Sequence, residues 1–223
     1  MLGAINCVPT IIGQPMLPGE TIITFFSAAV LLGLAPGPDN IFVLTQSALR
    51  GRGPGFVVVL GLCSGLLVHT AVVAFGVAII FQTSAVAFTL LKFIGAGYLV
   101  YLAWQAFRAQ PETIQDEANA TSGYWRYYRR GVIMNLTNPK VSIFFLAFLP
   151  QFADPSRGAV VYQLLLLGGL FILATILVFG SIALLAGSLG QWLSRSQRLQ
   201  VVLNRLAGTV FVALAIRLAT SQR

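Results

Sequence analysis

The sequence predicts an all-α, polytopic membrane protein, and three features of the chain indicate it. Only 9% of the 223 residues are charged, where a soluble domain carries about 25%. Hydrophobic residues make up 57% of the chain, and the mean hydropathy is +0.85. Apolar runs of about twenty residues recur along the sequence, and a helix of that length crosses a bilayer. So few charges cannot cover a soluble domain of this size, which excludes an ordinary cytosolic enzyme.

Six apolar segments predict six transmembrane helices in two halves of three. The segments are residues 21–49, 55–81, 84–107, 130–150, 159–189 and 200–219. The halves are 21–107 and 130–219; a cytoplasmic linker, 108–129, joins them, and tails of 1–20 and 220–223 flank them. Because each half has an odd number of spans, the second half enters the membrane from the opposite face. The predicted fold is an inverted 3+3 repeat whose first and fourth helices are broken at proline.

The distribution of Lys and Arg predicts the orientation. Nine of them lie at or near the loops after spans one, three and five, and four lie on the alternate side. Since positive loops stay in the cytoplasm, both termini are expected outside the cytoplasmic (inner) membrane. The net charge of +8 is spread over short loops, without a basic cluster interleaved with aromatic residues. We therefore expect these charges to face the lipid bilayer and not nucleic acid.

Two proline-containing breaks interrupt the first span of each half. Proline removes a backbone donor and clashes with the preceding turn, so each break ends one helix and starts another. Matching interruptions in the two halves of a transporter indicate its substrate site. The predicted substrate-binding residues are therefore those of the two breaks: Pro36, Gly37, Pro38, Asp39 and Asn40 in the first, and Asn138, Pro139 and Lys140 in the second.

The helix-start chemistry of both breaks is local. Gly37 and Asn138 are suitable N-caps, and Pro38 and Pro139 are suitable first helical residues. Asp39 and Lys140 lie eleven and ten residues from Arg50 and Arg130, the arginines at the predicted cytoplasmic boundary of their spans. At a rise of about 1.5 Å per residue, each is about 15 Å from the cytoplasmic boundary, half of a core of about 30 Å. Both new helices are thus predicted to begin near the midplane, where converging N-termini attract an anion.

An amino-acid zwitterion matches the charges of the breaks. Its carboxylate suits the helix N-termini and Lys140, and its ammonium suits Asp39. A charge at the bilayer centre costs about 2.5 to 3.5 kcal/mol, so each residue is expected to face a partner or a wet cavity. Two alternatives stay open: Asp39 complements the helix dipole only, or Asp39 and Lys140 pair with each other.

His69 is a candidate for proton transfer. It shares one helix face with Gly61 and Gly65, whose spacing also favours close helix packing. Its unperturbed pKa near 6.5 suits a proton relay, but a hydrogen-bonded core histidine fits the position too. Asp39 is the other candidate proton carrier.

Several chemistries have no motif in this sequence. It contains no phosphate-binding loop, nucleophile elbow, HExxH motif or paired His/carboxylate cluster. We therefore expect no enzyme activity, no cofactor and no metal site. The energy source is expected to be something other than nucleotide hydrolysis.

The motifs resemble the LysE/RhtB family of amino-acid exporters over residues 17–220. The resemblance lies in the first break, in Gly61, Gly65 and His69, and in three further runs: residues 92–99, 138–140 and 148–152. It implies a secondary active exporter of amino acids or close derivatives in the cytoplasmic membrane, driven by exchange with protons. Members of the family export homoserine, threonine, leucine, lysine, arginine and others, so the substrate is left open.

One alternative function is a cation or metal-ion exporter, or a channel, of related architecture. Asp39 and backbone carbonyls suit a hard cation, whereas a single histidine offers soft metals little. The oligomeric state is also open, with a homodimer as one option.

Overall fold

The computed structural model describes residues 15–35, 37–77, 85–108, 123–195 and 197–220, and these contain helices and turns but no strand. The prediction of an all-α chain is confirmed for this part. The helices are α1 (Gly19–Leu34), α2 (Pro38–Arg50), α3 (Arg52–Val72), α4 (Ala85–Arg108), α5 (Tyr124–Thr137), α6 (Pro139–Ile143), α7 (Val160–Arg195) and α8 (Gln197–Thr220). Pro36 and most of the predicted linker lie outside the described residues.

Short π and 3-10 turns extend two of these helices. A π-helical turn, Val73–Val77, continues α3. After α6 the chain makes a π-helical turn, Phe144–Phe148, and a 3-10 turn, Leu149–Phe152. A further 3-10 turn, Pro155–Arg157, precedes α7.

The helices fit a membrane protein. Within the described residues, Arg52–Gly76 and Val160–Ala186 are each long and apolar enough to span a bilayer. Two bent pairs, α1 with α2 and α5 with α6 and its extension, also qualify if each is one span. The remaining helices α4 and α8 occupy the third and sixth predicted segments, and α8 holds a shorter apolar stretch, Asn204–Ile216. Six spans in an inverted repeat therefore stay a prediction.

Both predicted breaks are present. The axes of α1 and α2 meet at 63°, and those of α5 and Pro139–Phe152 meet at 52°. Pro38 and Pro139 are the first residues of their helices, as their fixed backbone geometry favours. Gly37 and Asn138 are the N-caps, both in extended conformation. The local part of the prediction is confirmed.

Glycines bring α3 and α5 into close contact. A Cβ atom at Gly61 would clash with the Tyr128 carbonyl, and one at Gly131 would clash with the Val58 carbonyl. A Cβ atom at Gly65 would lie 2.6 Å from Asn135 Oδ1. The glycine face of α3 is therefore a packing surface that fixes the position of α5.

Two apolar clusters lie to either side of the breaks in the packed bundle. One contains buried residues of α1, the end of α3, the 141–152 segment and the start of α7, with tightly packed phenylalanines at its centre. The other contains residues of α2, the start of α3, Tyr127 of α5 and the later part of α7. Asp39 and Asn138 of the breaks are buried close in sequence to members of these clusters, such as Ala35, Val43 and Val141.

Candidate functional site

The two breaks meet, although they are about a hundred residues apart in the chain. Asn138 Nδ2 donates a 2.8 Å hydrogen bond to Asp39 Oδ2. Both side chains are buried, with Asp39 only 3% exposed and Asn138 only 5%. The breaks therefore converge as the sequence predicted, and the contact between them is polar and desolvated.

Lys140 binds the end of α1. Its Nζ donates to the carbonyls of Ala35, at 3.1 Å, and Leu32, at 3.3 Å. These carbonyls belong to the last turn of α1, where the helix itself offers no donor. A Cβ atom at Gly37 would lie 3.2 Å from Nζ, so a residue without a side chain leaves room for the ammonium. Lys140 thus caps a helix of the other half of the chain.

Asp39 and Lys140 share the site without touching. No pair of their charged atoms lies within 4.0 Å, although both residues are fully described. The Asp39 carboxylate is held by Asn138, and the Lys140 ammonium is held by carbonyls. The alternative in which the two charges only pair with each other is not the arrangement observed.

Two asparagines complete the polar frame of the breaks. Asn138 Oδ1 accepts a 3.0 Å bond from the Lys140 backbone N–H and so caps α6. Asn40 Nδ2 donates a 2.7 Å bond to the Gly33 carbonyl, which is another carbonyl in the last turn of α1. The end of α1 is therefore bound by side chains of both breaks.

The site still has an unpaired hydrogen-bond acceptor and an unpaired hydrogen-bond donor. Among the described residues no donor reaches Asp39 Oδ1 or Asn40 Oδ1, and both atoms are buried. An ammonium has three N–H donors, and two of those of Lys140 bind carbonyls. One carboxylate oxygen and one ammonium N–H are thus available to a ligand that carries both charges.

His69 contacts the second break through the backbone. Its Nε2 donates to the Asn135 carbonyl at 3.4 Å, and its ring lies 5.5 Å from that of Phe145. The same carbonyl accepts a 3.2 Å bond from the Asn138 N–H. His69 is thus connected to the residue that holds Asp39, but it does not contact Asp39 itself. Its role in proton transfer stays a prediction.

Helices α2 and α5 contact each other through two cation–π pairs. The Arg130 guanidinium lies 4.5 Å from the ring centre of Phe42, and the Arg50 guanidinium lies 5.8 Å from that of Tyr127. Each helix supplies one cation and one ring.

Sequence reasoning missed four further buried polar residues. Within the described residues, buried side-chain oxygens without a donor also occur on α2 and α5, at Thr45, Gln46, Ser47 and Asn135. The available signal was helical spacing, because Gln46 lies seven residues after Asp39 and so on the same face.

Two broken helices that bring an acidic and a basic residue together inside an apolar bundle are the arrangement of a membrane transporter. The chain belongs to the LysE type translocator family, whose sequence model matches residues 25–222.

The chain is also similar to curated relatives over nearly its whole length. A homoserine/homoserine lactone efflux protein of Salmonella typhi is 31% identical over 203 residues, which cover 91% of this chain and 98% of that protein. Its counterpart in Salmonella typhimurium gives the same values. An uncharacterized membrane protein of Vibrio cholerae is 32% identical over 200 residues, covering 90% and 97%. No solved structure matches the chain significantly.

Proposed function

We propose that this protein is a secondary active exporter of amino acids or close derivatives across the cytoplasmic membrane, and that the two breaks form its substrate site. The observation that carries the proposal is the meeting of Asp39, Asn138 and Lys140 in one buried site of a LysE type translocator. The names of the two Salmonella relatives support homoserine or a similar amino acid as substrate.

The bonding capacity of the site matches an amino-acid zwitterion. The ammonium of the substrate binds Asp39 Oδ1, which no described donor reaches. The carboxylate of the substrate binds the third N–H of Lys140, beside the N-terminus of α2, where Gly37 provides no side-chain cap. Asn138 holds Asp39 from the other side and so fixes its orientation. Charge-assisted bonds of this kind contribute about 1.5 to 3 kcal/mol each.

Proton exchange is the energy source that we propose. The sequence contains no phosphate-binding loop, so a gradient has to supply the energy. Asp39 is the first candidate carrier because substrate ammonium and a proton would compete for the same oxygen. His69 is the second, through its link to the Asn135 carbonyl. Competition at one carboxylate gives antiport without a separate coupling site.

The proposed architecture is six spans as an inverted repeat, with both termini outside. In such a repeat α1, α3 and α4 correspond to α5, α7 and α8. The contact between α1 and α7 then corresponds to the contact between α5 and α3, and both are present. The α3–α7 and α4–α8 contacts, which are also present, each correspond to themselves. The similar bends of 63° and 52° at the two breaks also support it. A homodimer stays a prediction.

Efflux from proteoliposomes tests the function. Vesicles are prepared with the purified protein and loaded with a panel of amino acids and cations. An imposed proton gradient should accelerate the release of homoserine or a related amino acid. A protonophore should abolish the accelerated release. Release of metal cations without amino acids would favour the alternative of a cation exporter. If the protonophore does not slow amino-acid release, proton coupling is contradicted, but the proposal of amino-acid export is not.

Reporter fusions test the orientation separately. Fusions after Arg52 and within residues 112–119 should report cytoplasm, whereas fusions near Pro155 and at Arg223 should report the outside. A cytoplasmic C-terminus would contradict the six-span arrangement.

A further inference from the structure

Gly37 leaves a space at the first break that is bordered by polar atoms of both breaks. A Cβ atom at Gly37 would lie 3.2 Å from Lys140 Nζ, 3.8 Å from Asn40 Oδ1 and 3.9 Å from the Ala35 carbonyl oxygen. These are its three nearest contacts outside the adjacent residues, and all three atoms are polar. Gly61 instead faces backbone atoms of the helix packed against it. The space at Gly37 therefore differs from a packing contact, because a donor and two acceptors meet there.

The backbone does not require glycine at position 37. Gly37 has φ −168° and ψ 175°, which is extended backbone that other residues also adopt. It is the N-cap of α2, where a serine, aspartate or asparagine side chain would bind the first turn of the helix. Neither conformation nor capping therefore explains the missing side chain, whereas the polar space beside it does.

Two of the atoms at this space have unused bonding capacity. Asn40 Nδ2 donates to the Gly33 carbonyl at 2.7 Å, which fixes the orientation of the amide. Asn40 Oδ1 is buried, and no donor among the described residues reaches it. Lys140 uses two of its three N–H donors on carbonyls of α1. A buried acceptor without a donor is unfavourable, so a ligand that supplies the donor is expected here.

We propose that the space at Gly37 receives the head group of the substrate and that Asn40 Oδ1 is a second acceptor for its ammonium. The inference rests on the proposed export function, in which the carboxylate of the substrate binds Lys140 and the ammonium binds Asp39. In an α-amino acid the nitrogen and the nearer carboxylate oxygen are about 3 Å apart, because both groups are attached to one carbon. Lys140 Nζ and Asn40 Oδ1 both lie within 4 Å of the Cβ position of Gly37, so one head group at this point reaches both.

Two acceptors select a substrate with a primary ammonium. Such an ammonium has three N–H donors, of which Asp39 Oδ1 and Asn40 Oδ1 accept one each. An N,N-dimethylated amino acid has a single N–H and leaves one buried acceptor unpaired. An N-acylated amino acid also has a single N–H and has lost the positive charge. Both classes are therefore disfavoured, and the substrate is an amino acid whose α-nitrogen carries no substituent.

Methylation of the ligand combined with replacement of Asn40 tests the inference. Titration calorimetry of the purified chain gives the affinities of wild type and of Asn40→Leu for homoserine and for N,N-dimethylhomoserine. Leucine keeps the shape of asparagine but provides no acceptor, and loss of the bond to Gly33 affects both ligands alike. Wild type should bind the dimethylated ligand roughly tenfold more weakly or worse, and this ratio should fall roughly tenfold in Asn40→Leu. Thr45→Val is the matched control on α2 and should keep the wild-type ratio, since its buried hydroxyl is not among the three atoms nearest the space.

A methyl group at position 37 tests the location of the head group. Gly37→Ala should weaken the binding of homoserine roughly tenfold or more, and equally that of homoserinol, in which a hydroxymethyl group replaces the carboxylate. If Gly37 only leaves room for Lys140, homoserinol keeps its wild-type affinity, because it has no carboxylate to bind that ammonium. Gly33→Ala is the control, since its Cβ atom makes ordinary contacts of 3.5 to 3.6 Å with Val178.

Three results would overturn the inference. They are a methylation ratio in Asn40→Leu equal to that of wild type, an equal fall of the ratio in Thr45→Val, and a homoserinol affinity that Gly37→Ala leaves unchanged. None of them bears on the proposed export function. That proposal fails separately, if wild type binds no amino acid or if Asp39→Asn binds homoserine as tightly as wild type.

Discussion

The two breaks look alike in sequence but are held in different ways. At the second break the cap is local, because Asn138 Oδ1 accepts from the Lys140 N–H two residues later. At the first break Gly37 provides no side-chain cap. The end of α1 is instead bound by Lys140, from more than a hundred residues away, and by Asn40. The second break is self-supporting, whereas the first depends on the second.

This difference gives Lys140 two tasks. Its side chain closes the last turn of α1 and also provides the ammonium that we propose for the substrate carboxylate. A ligand that attracts Nζ would weaken its bonds to the carbonyls of Leu32 and Ala35. Substrate binding can therefore change the junction of α1 and α2 while the α5–α6 junction keeps its own cap.

Removal of the Lys140 charge should have the largest effect and should break the first junction only. Lys140→Met keeps the aliphatic stem but leaves two carbonyls without a donor, at about 1.5 to 3 kcal/mol for each charge-assisted bond. We expect export to fall roughly tenfold to hundredfold and the midpoint of thermal unfolding in detergent to drop. Lys92→Met is the control, because Lys92 lies on α4, which contains neither break. A Lys140→Met protein with wild-type stability and export would contradict the dependence of the first break on the second.

A clash between α3 and α5 should disturb the second break next most strongly. Gly61→Ala places a Cβ atom against the Tyr128 carbonyl, and overpacking of this kind costs about 1 to 3 kcal/mol. Unfolding temperature and monodispersity in detergent should both decline. Gly97→Ala is the matched control, since its Cβ atom meets nothing within 4 Å and alanine favours a helix. Equal stability of the two variants would show that the α3–α5 contact is looser than described.

Loss of the local cap should be smaller. Asn138→Ala removes the cap of α6 and the bond to Asp39, which costs about 0.5 to 2 kcal/mol for the cap. Asn138→Ser should restore stability, because serine also caps helices, while export stays reduced because serine is too short to hold Asp39. Asn40→Ala should destabilise less than Asn138→Ala, since Lys140 still binds two carbonyls of α1. Unfolding curves and efflux of the three variants are measured together. Equal destabilisation by Asn40→Ala and Asn138→Ala would show that the two breaks are held alike.

The smallest effect is expected at Asp154, which caps the 3-10 turn Pro155–Arg157 after the second broken pair of helices. Hydrogen bonds from the Ser156 side chain and backbone lower the pKa of Asp154 below its ordinary value of 3.8, and Arg157 adds to the shift. A carboxylate whose pKa is lower in the folded protein contributes stability above pH 3.8 and loses it as the pH falls through the folded pKa. Asp154→Asn should therefore lower the unfolding temperature slightly at pH 6, and the difference should shrink as the pH falls below 3.8. A difference that does not shrink on acidification would point to a cause other than the charge.

The sequence predicts the breaks well because their chemistry is local. Proline at the first helical position and a suitable N-cap before it depend on adjacent residues only, so Pro38 and Pro139 are placed correctly. The convergence of the breaks is expected from helix rise and from the predicted opposite entry of the halves. The partners of Lys140 and the position of Gln46 depend on which faces of α1, α2 and α5 meet. That choice is made by packing, for which an almost uniformly apolar sequence carries little periodic signal.

Binding to the Asp39→Asn variant tests the central claim that the breaks recognise a zwitterion. Titration calorimetry of the purified protein should be carried out with homoserine and with 4-hydroxybutyrate, which lacks the ammonium. Asp39→Asn should bind homoserine roughly tenfold to hundredfold more weakly than wild type, because a charge-assisted contact is lost. Its affinity for 4-hydroxybutyrate should be unchanged. If Asp39 only complements the helix dipole, its replacement loses a charge–dipole interaction of about 0.3 to 1 kcal/mol, and homoserine binds the variant almost as well as wild type. Unchanged homoserine affinity in a folded Asp39→Asn protein would contradict the claim.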